Sequence, residues 1–337
     1  MPVRFRPDPF TLMLLGGLVL GSVLPASGPA ATLMSGVATA AMALLFFLHG
    51  ARMDRRTVVA GLVHWRLHLA ALGATFVLFP LLGLAAGLLA LGLLTPALAD
   101  GILFLSLLPS TIQASIAFTA MAGGNVPAAV CAASASNILG MAISPLLVAV
   151  LFHAQGGGFD WGGIGKILLQ LLGPFLLGQA LQPRLGPWLG RRKALTGVVD
   201  RGSILLVVYL AFSQAAVGGL WARTPPSALL SMLAVDAVLL AGMLALTTWG
   251  SRLLGFPRQD EITIVFCGSK KSLAAGVPIA NVMFAGQDIG SLLLPVMLFH
   301  QLQLLVCAAL ARRHARRPDA AAIAPAAPAG ARFLASR

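Results

Sequence analysis

Two consecutive lysines, Lys270 and Lys271, stand inside an otherwise apolar stretch, ITIVFCGSKKSLAAGVPIANVMF. A lysine well inside a membrane-crossing helix costs about 2.5–3.5 kcal/mol on insertion scales. Successive side chains on a helix diverge by about 100°, so the two cannot both snorkel to one interface. At least one is expected to face the protein interior. The chemistry on offer is a cationic centre for an anionic substrate, or an ammonium standing where a bound cation would otherwise sit. The plainer alternative is a structural ion pair. Asp236 is the one acidic residue deep within an apolar block. At 1.5 Å per helical residue, its height in the bilayer matches that of Lys270, so a pair between them is geometrically allowed.

Other polar groups gather where apolar stretches are interrupted. In GILFLSLLPSTIQASIAFTAMAGG, Pro109 breaks the helix, and Ser110, Thr111, Gln113 and Ser115 follow it. A broken helix exposes free N–H groups and a positive dipole end, to which hydroxyls and an amide can add coordination. In the lysine stretch, Gly268 makes the interruption, and Ser269 and Ser272 flank the two bases. Ser134, Ser136 and Asn137 lie in AASASNILG, where small-residue packing is the rival explanation. His300 and Gln301 lie in LFHQLQLL, and Gln214 is a weaker candidate. Cys131, Cys267 and Cys307 have neither zinc nor redox spacing and read as small core residues. There is no HExxH, GxSxG or P-loop, and one buried carboxylate does not make an acid–base pair. No enzyme activity is expected.

The elements that must position these groups follow from composition. Hydrophobic residues make up 58% of the 337, and 10% are charged. Soluble domains sit near about 45–50% and about 25%. The apolar residues come in blocks long enough to span a hydrocarbon core of about 30 Å. Backbone amides in that solvent need internal partners, which makes the blocks helices. The ten-residue alternation of a membrane barrel is missing. The net charge of +13 does not imply nucleic acid, because the bases flank hydrophobic blocks without aromatic interleaving.

Candidate spans are roughly 10–25, 31–50, 68–90, 101–124, 125–152, 166–181, 203–221, 228–254, 262–284 and 289–311. Segment 51–67 reads as a basic connection with an interfacial helix, and 182–202 as a Pro-, Gly- and Arg-rich connection. Residues 1–311 form one membrane unit. From 312 to 337 the chain turns basic and then Ala/Pro rich, with no apolar period, and reads as a disordered cytoplasmic tail. Arg4 and Arg6 before Phe10–Leu24 resemble a signal peptide, but a retained first helix is preferred because the count of spans needs it. With the N-terminus in the cytoplasm, nineteen of the 23 bases lie inside and two, Lys166 and Arg223, outside. The positive-inside rule thus favours ten spans with both ends cytoplasmic. Ten spans divide into two halves of five, and an odd number per half inverts the second against the first. Interrupted fourth and ninth spans at matching places point to a midplane transport site.

Three motifs carry a resemblance to a known family: LPSTIQASIAFTAMAGGNVPAAVCAASASNILG (Leu108–Gly140), GSKKSLAAGVPIANVMFAG (Gly268–Gly286) and LLLPVMLFHQLQLLVCAALARR (Leu292–Arg313). The chain resembles the bile acid:sodium symporter family, in its divergent SBF-like bacterial branch, over nearly its whole length. The resemblance implies an all-α fold of ten spans in two inverted repeats, with broken fourth and ninth spans crossing near the midplane. It implies a panel of spans 1, 2, 6 and 7, a core of the other six, and alternating access between them in a bacterial inner membrane. The expected cargo is a small organic anion, with Na⁺ or H⁺ as coupling ion and no cofactor. The alternative is a non-transporting regulatory membrane protein of ion homeostasis. The sequence departs from the family at the sodium ligands. The acidic residue expected at the ninth span falls at about Phe266, and the glutamine at about Lys270. The hydroxyls of the fifth span fall near Ala129 and Ala133. Glu261 is too early and is expected at the interface. Ser115 alone fits a sodium-ligand position, which puts sodium coupling in doubt.

Overall fold

A computed structural model describes residues 9–52, 64–90, 92–153, 161–284 and 288–315. Among the described residues every regular element is helical. In chain order these are α1 (Pro9–Val23), α2 (Gly28–Arg52), α3 (Trp65–Leu89), α4 (Pro96–Leu107), α5 (Ile112–Met121), α6 (Val126–His153), α7 (Trp161–Arg191) and α8 (Lys193–Val217). After a single turn at Leu220–Arg223 come α9 (Pro226–Leu253), α10 (Arg258–Gly268), α11 (Leu273–Met283) and α12 (Ile289–Ala315). Seven helical stretches are long and apolar enough to cross a membrane, with α10 and α11 counted together. The pair α4 and α5, bent by 64°, makes an eighth when taken as one. This is a polytopic all-helical membrane protein.

Sequence chemistry explains where the helices start and stop. Pro96 and Pro226 occupy first-turn positions of α4 and α9, where a missing N–H is no loss. Gly255, at φ +71°, supplies the left-handed stop after α9. The two interruptions read from the sequence are present: Leu108–Thr111 and Ser269–Ser272 are both non-helical. Pro109 cannot donate an intrahelical bond. The second break follows Gly268, which lies so close to α3 that an added Cβ would stand 2.7 Å from the Ala74 Cβ.

Two sequence expectations change. Residues 182–202 are not a connection: α7 runs through Pro183 and Pro187 to Arg191, and α8 starts at Lys193. Leu185 and Leu189 pack against Leu48 and Ala51 of α2 and against Val199 of α8, so tertiary burial overrides composition. The tail starts later than Arg312, because α12 continues to Ala315. The rest of the tail, and most of the 51–67 connection, lie outside the described residues.

Two sets of helices pack internally. Helix α2 lies along α7, where Gly50 abuts the Phe175 carbonyl and Gly178 abuts the Phe47 carbonyl. Small residues let helix backbones approach in lipid, where apolar side chains gain nothing by leaving the tails. Helix α1 runs along α8, with Gly21 against the Tyr209 carbonyl. In the second set α4 packs on α12 and α3, α9 packs on α10 and α12, and α5 packs on α6. Phe79 meets Phe299 edge-on, with ring centroids 5.8 Å apart, and Phe104 meets Phe284 at 5.7 Å.

Candidate functional site

The two breaks touch. The Ser272 N–H donates to the Pro109 carbonyl at 2.8 Å, joining the second break to the first by backbone alone. The Ser115 hydroxyl of α5 donates to the Phe266 carbonyl of α10 at 3.0 Å. Unwound backbone at membrane depth survives only if its polar groups find protein partners, and here they can be followed one by one. At the first break, Ser110 N–H donates to the Ser136 hydroxyl at 3.0 Å, and the Asn137 amide donates to the Ser110 carbonyl at 2.6 Å. The Ser144 hydroxyl donates to the Leu107 carbonyl at 2.6 Å. At the second break, Gln303 of α12 clamps Lys271: its Oε1 accepts from the Lys271 N–H, and its Nε2 donates to the Lys271 carbonyl, both at 2.9 Å. Ser272 caps α11, accepting from the Ala275 N–H at 3.2 Å.

Lys271 completes this accounting. Its Nζ donates to the carbonyls of Ser106 and Leu108 at 2.7 Å and of Thr75 at 2.8 Å, which uses all three ammonium hydrogens. Ser106 and Leu108 belong to the C-terminal end of α4, where orphan carbonyls and the negative dipole end favour a cation. Thr75 lies in the π-helical stretch Ala74–Leu78 of α3, whose altered bonding pattern re-aims carbonyls. The Phe79 ring centroid is 4.2 Å from the same Nζ.

Lys270 has a different environment. It is fully buried, yet among the described residues its Nζ makes no hydrogen bond to nitrogen or oxygen. The ammonium lies 3.8 Å from the Phe118 ring centroid and 5.0 Å from that of Phe266, with the Cys267 and Cys307 thiols beside it. Aromatic faces attract a desolvated cation by about 2 kcal/mol. The pair anticipated with Asp236 is not made. Among the described residues neither buried Asp236 oxygen has a hydrogen-bond partner, while the Lys270 ammonium turns to the rings of α5 and α10. Glu261 pairs with Arg252 at 2.9 Å, outside the crossing.

The remaining sequence candidates divide. Ser110, Thr111 and Ser115 form a buried hydroxyl cluster, with Ser110 and Thr111 at 3.2 and 3.4 Å from Ser115. Ser136 and Asn137 join it through the Ser110 backbone. Ser269 bonds back to the Val265 carbonyl at 2.6 Å. His300 is linked in through its Nδ1, which accepts from Gln303 Nε2 at 2.9 Å. Gln113 is exposed and Ser134 half-buried, and no hydrogen bond ties either to the cluster. Sequence reasoning missed Gln303, which lies three residues after His300 on the same helix face, a spacing that could have revealed it. It also missed His49.

His49 of α2 lines a cavity of about 40 Å³ that opens onto the breaks. Leu45, Phe46 and His49 form one wall, and Pro109, Asn137, Ser272 and Ala275 stand among the residues opposite. Neither buried lysine lines this cavity.

An all-helical membrane protein with two interrupted helices joined at a polar, cation-bearing junction has the form of a transporter. The SBF-like CPA transporter family model matches residues 8–316, and the chain belongs to that family, within the bile acid:sodium symporter superfamily. A Pseudomonas aeruginosa protein is 54% identical over 322 residues, covering 95% of this chain and 97% of its own. The Escherichia coli (strain K12) protein YfeH is 49% identical over 312 residues, covering 93% and 94%. Sodium/bile acid cotransporter 7 of Rattus norvegicus is 27% identical over 270 residues, 79% of each chain.

Proposed function

We propose that this chain is a secondary active transporter of a small organic anion, working by alternating access without sodium. The observation that carries the reading is the junction of the two breaks around two buried, carboxylate-free ammonium groups. In this reading the helices form ten spans in two inverted five-span repeats. Helices α4 and α5 are the fourth span, and α10 and α11 the ninth. Helices α1, α2, α7 and α8 are the panel, and the rest are the core. The membrane is a bacterial inner membrane with both chain ends in the cytoplasm, as the distribution of Arg and Lys favours. Anions enter the small cavity between α2 and the breaks when panel and core part.

Sodium does not suit the residues present. Phe266 stands at the acidic position of the family pattern, and the Lys270 ammonium lies over its ring. Ala129 and Ala133 are buried where the pattern has hydroxyls and offer no oxygen from their side chains. Ser115, the one matching ligand, offers a single hydroxyl oxygen, held beside the Phe266 carbonyl to which it donates. A hard cation wants several oxygens, and here it would meet a fixed ammonium. Lys270 thus stands in for the mobile cation. Its positive charge, uncompensated by any carboxylate hydrogen bond, favours an anion in the adjoining junction.

The test is uptake of labelled carboxylates into proteoliposomes. Uptake that proceeds without sodium and is abolished by Lys270→Ala supports the proposal. Strict dependence on sodium in the wild type overturns it. A well-folded wild type that moves no anion, in cells whose ion balance depends on it, assigns the chain to the regulatory alternative.

A further inference from the structure

On the footing that the chain carries organic anions, we infer that His49 is the proton-binding residue of the anion site, and that a carboxylate and one proton are carried together. The geometry is local. Among the described residues, His49 is the one titratable side chain lining the cavity between α2 and the breaks. Its Nδ1 lies 2.9 Å from the Leu45 carbonyl. A carbonyl only accepts, so Nδ1 carries a hydrogen and the neutral ring leaves Nε2 as a bare acceptor. A carboxylate approaching Nε2 would then meet a lone pair. Adding a proton from water to Nε2 turns that acceptor into a charged donor, while Nδ1 keeps its bond to Leu45.

The opposite wall brings no charge and few free donors. Asn137 spends its amide hydrogens on the Ser110 and Ala133 carbonyls, at 2.6 and 3.2 Å, and so is fixed in place. Ser272 stands at the start of the eleven-residue α11. Other lining residues are apolar. The charged groups acting on the ring are Asp200 of α8 and Arg52 of its own helix. These two pair with each other at 2.8 Å and act on the ring in opposite senses. From α7, also packed on α2, no charged side chain among the described residues acts on it. Lys270 does not line the cavity, so the proton on His49 is the charge that can change at its wall. Imidazolium and carboxylate together add no net charge to the interface that must slide. Binding of either favours the other to the same degree.

The experiment measures binding of acetate, benzoate and cholate to the purified full chain by thermal shift, from about pH 8 down to about pH 5.5. Proton uptake on adding the ligand is recorded in weak buffer. The wild type is expected to gain up to about tenfold in affinity per pH unit lost, until the ring is protonated, and to take up close to one proton per anion. His49→Gln is expected to bind weakly at every pH and to take up no proton. Wild-type affinity that is flat with pH, or binding without proton uptake, overturns the inference while leaving anion transport standing. Full pH dependence surviving in His49→Gln also overturns it. Absence of any anion binding across the range overturns the transport reading itself, and this proposal with it. If His49→Gln does not fold, the wild-type proton stoichiometry alone decides.

Discussion

The two helix breaks meet, yet they are built from opposite chemistry. The first, Leu108–Thr111, supplies acceptors: the carbonyls of Ser106, Leu107, Leu108, Pro109 and Ser110 all point to partners outside α4. The second, Ser269–Ser272, supplies donors: the Lys271 ammonium and the Ser272 N–H reach back to the first. A helix that ends at membrane depth leaves carbonyls that water cannot reach, and one lysine answers two of them together with the Thr75 carbonyl of α3. The difference teaches that the adjacent lysines do separate jobs. Lys271 is saturated and ties the two breaks together, whereas Lys270 makes no such bonds, and the proposed function gives it the transport role.

Substitutions can break or sharpen this contrast. The largest effect is expected for Lys271→Met, which strands three buried carbonyls. The loss should be about 3–5 kcal/mol, read as a collapse of the melting transition in detergent. Preserved stability there would dissolve the distinction between the lysines. Next comes Gln303→Leu, which orphans the Lys271 N–H and carbonyl and should cost about 1–3 kcal/mol by the same measurement. Lys270→Met should behave in the reverse way. It gives up an aromatic contact of about 2 kcal/mol but relieves a buried charge, so stability should stay within about 1 kcal/mol of wild type. Anion uptake should nevertheless disappear. A Lys270→Met protein that melts early and transports normally would invert the assignment. The smallest effect is expected for Ser134→Ala, within about 0.5 kcal/mol and with normal uptake, because no hydrogen bond ties Ser134 to the junction.

Much of the site was legible before the fold. Pro109 and Gly268 announced the interruptions, and the hydroxyls after Pro109 announced a polar cluster. The pairing of Lys270 with Asp236 was a reasonable inference from height in the bilayer that failed. Counting residues along a helix gives depth but not the direction a side chain faces. His49 was overlooked for a related reason: three residues before Arg52 at the end of α2, it reads as an interfacial base. Only the approach of α2 to the breaks turns it toward a cavity. The stretch 182–202 was misread because prolines and glycines were counted and the apolar spacing of Leu185 and Leu189 was not.

By itself the sequence determined that the chain crosses a membrane as helices, where two of them break, and that cations are buried at one break. These follow from local quantities: apolar length, a missing N–H, and the cost of charge in hydrocarbon. The tertiary structure decided which lysine is tethered and which is left over, and that Gln303 and His49 belong to the junction. Those outcomes depend on carbonyls from α3 and α4, and on helix faces brought together across some 200 residues of chain, as between Thr75 and Lys271, 196 positions apart. A hydrogen bond requires a direction as well as a depth, and direction is fixed only when the helices pack.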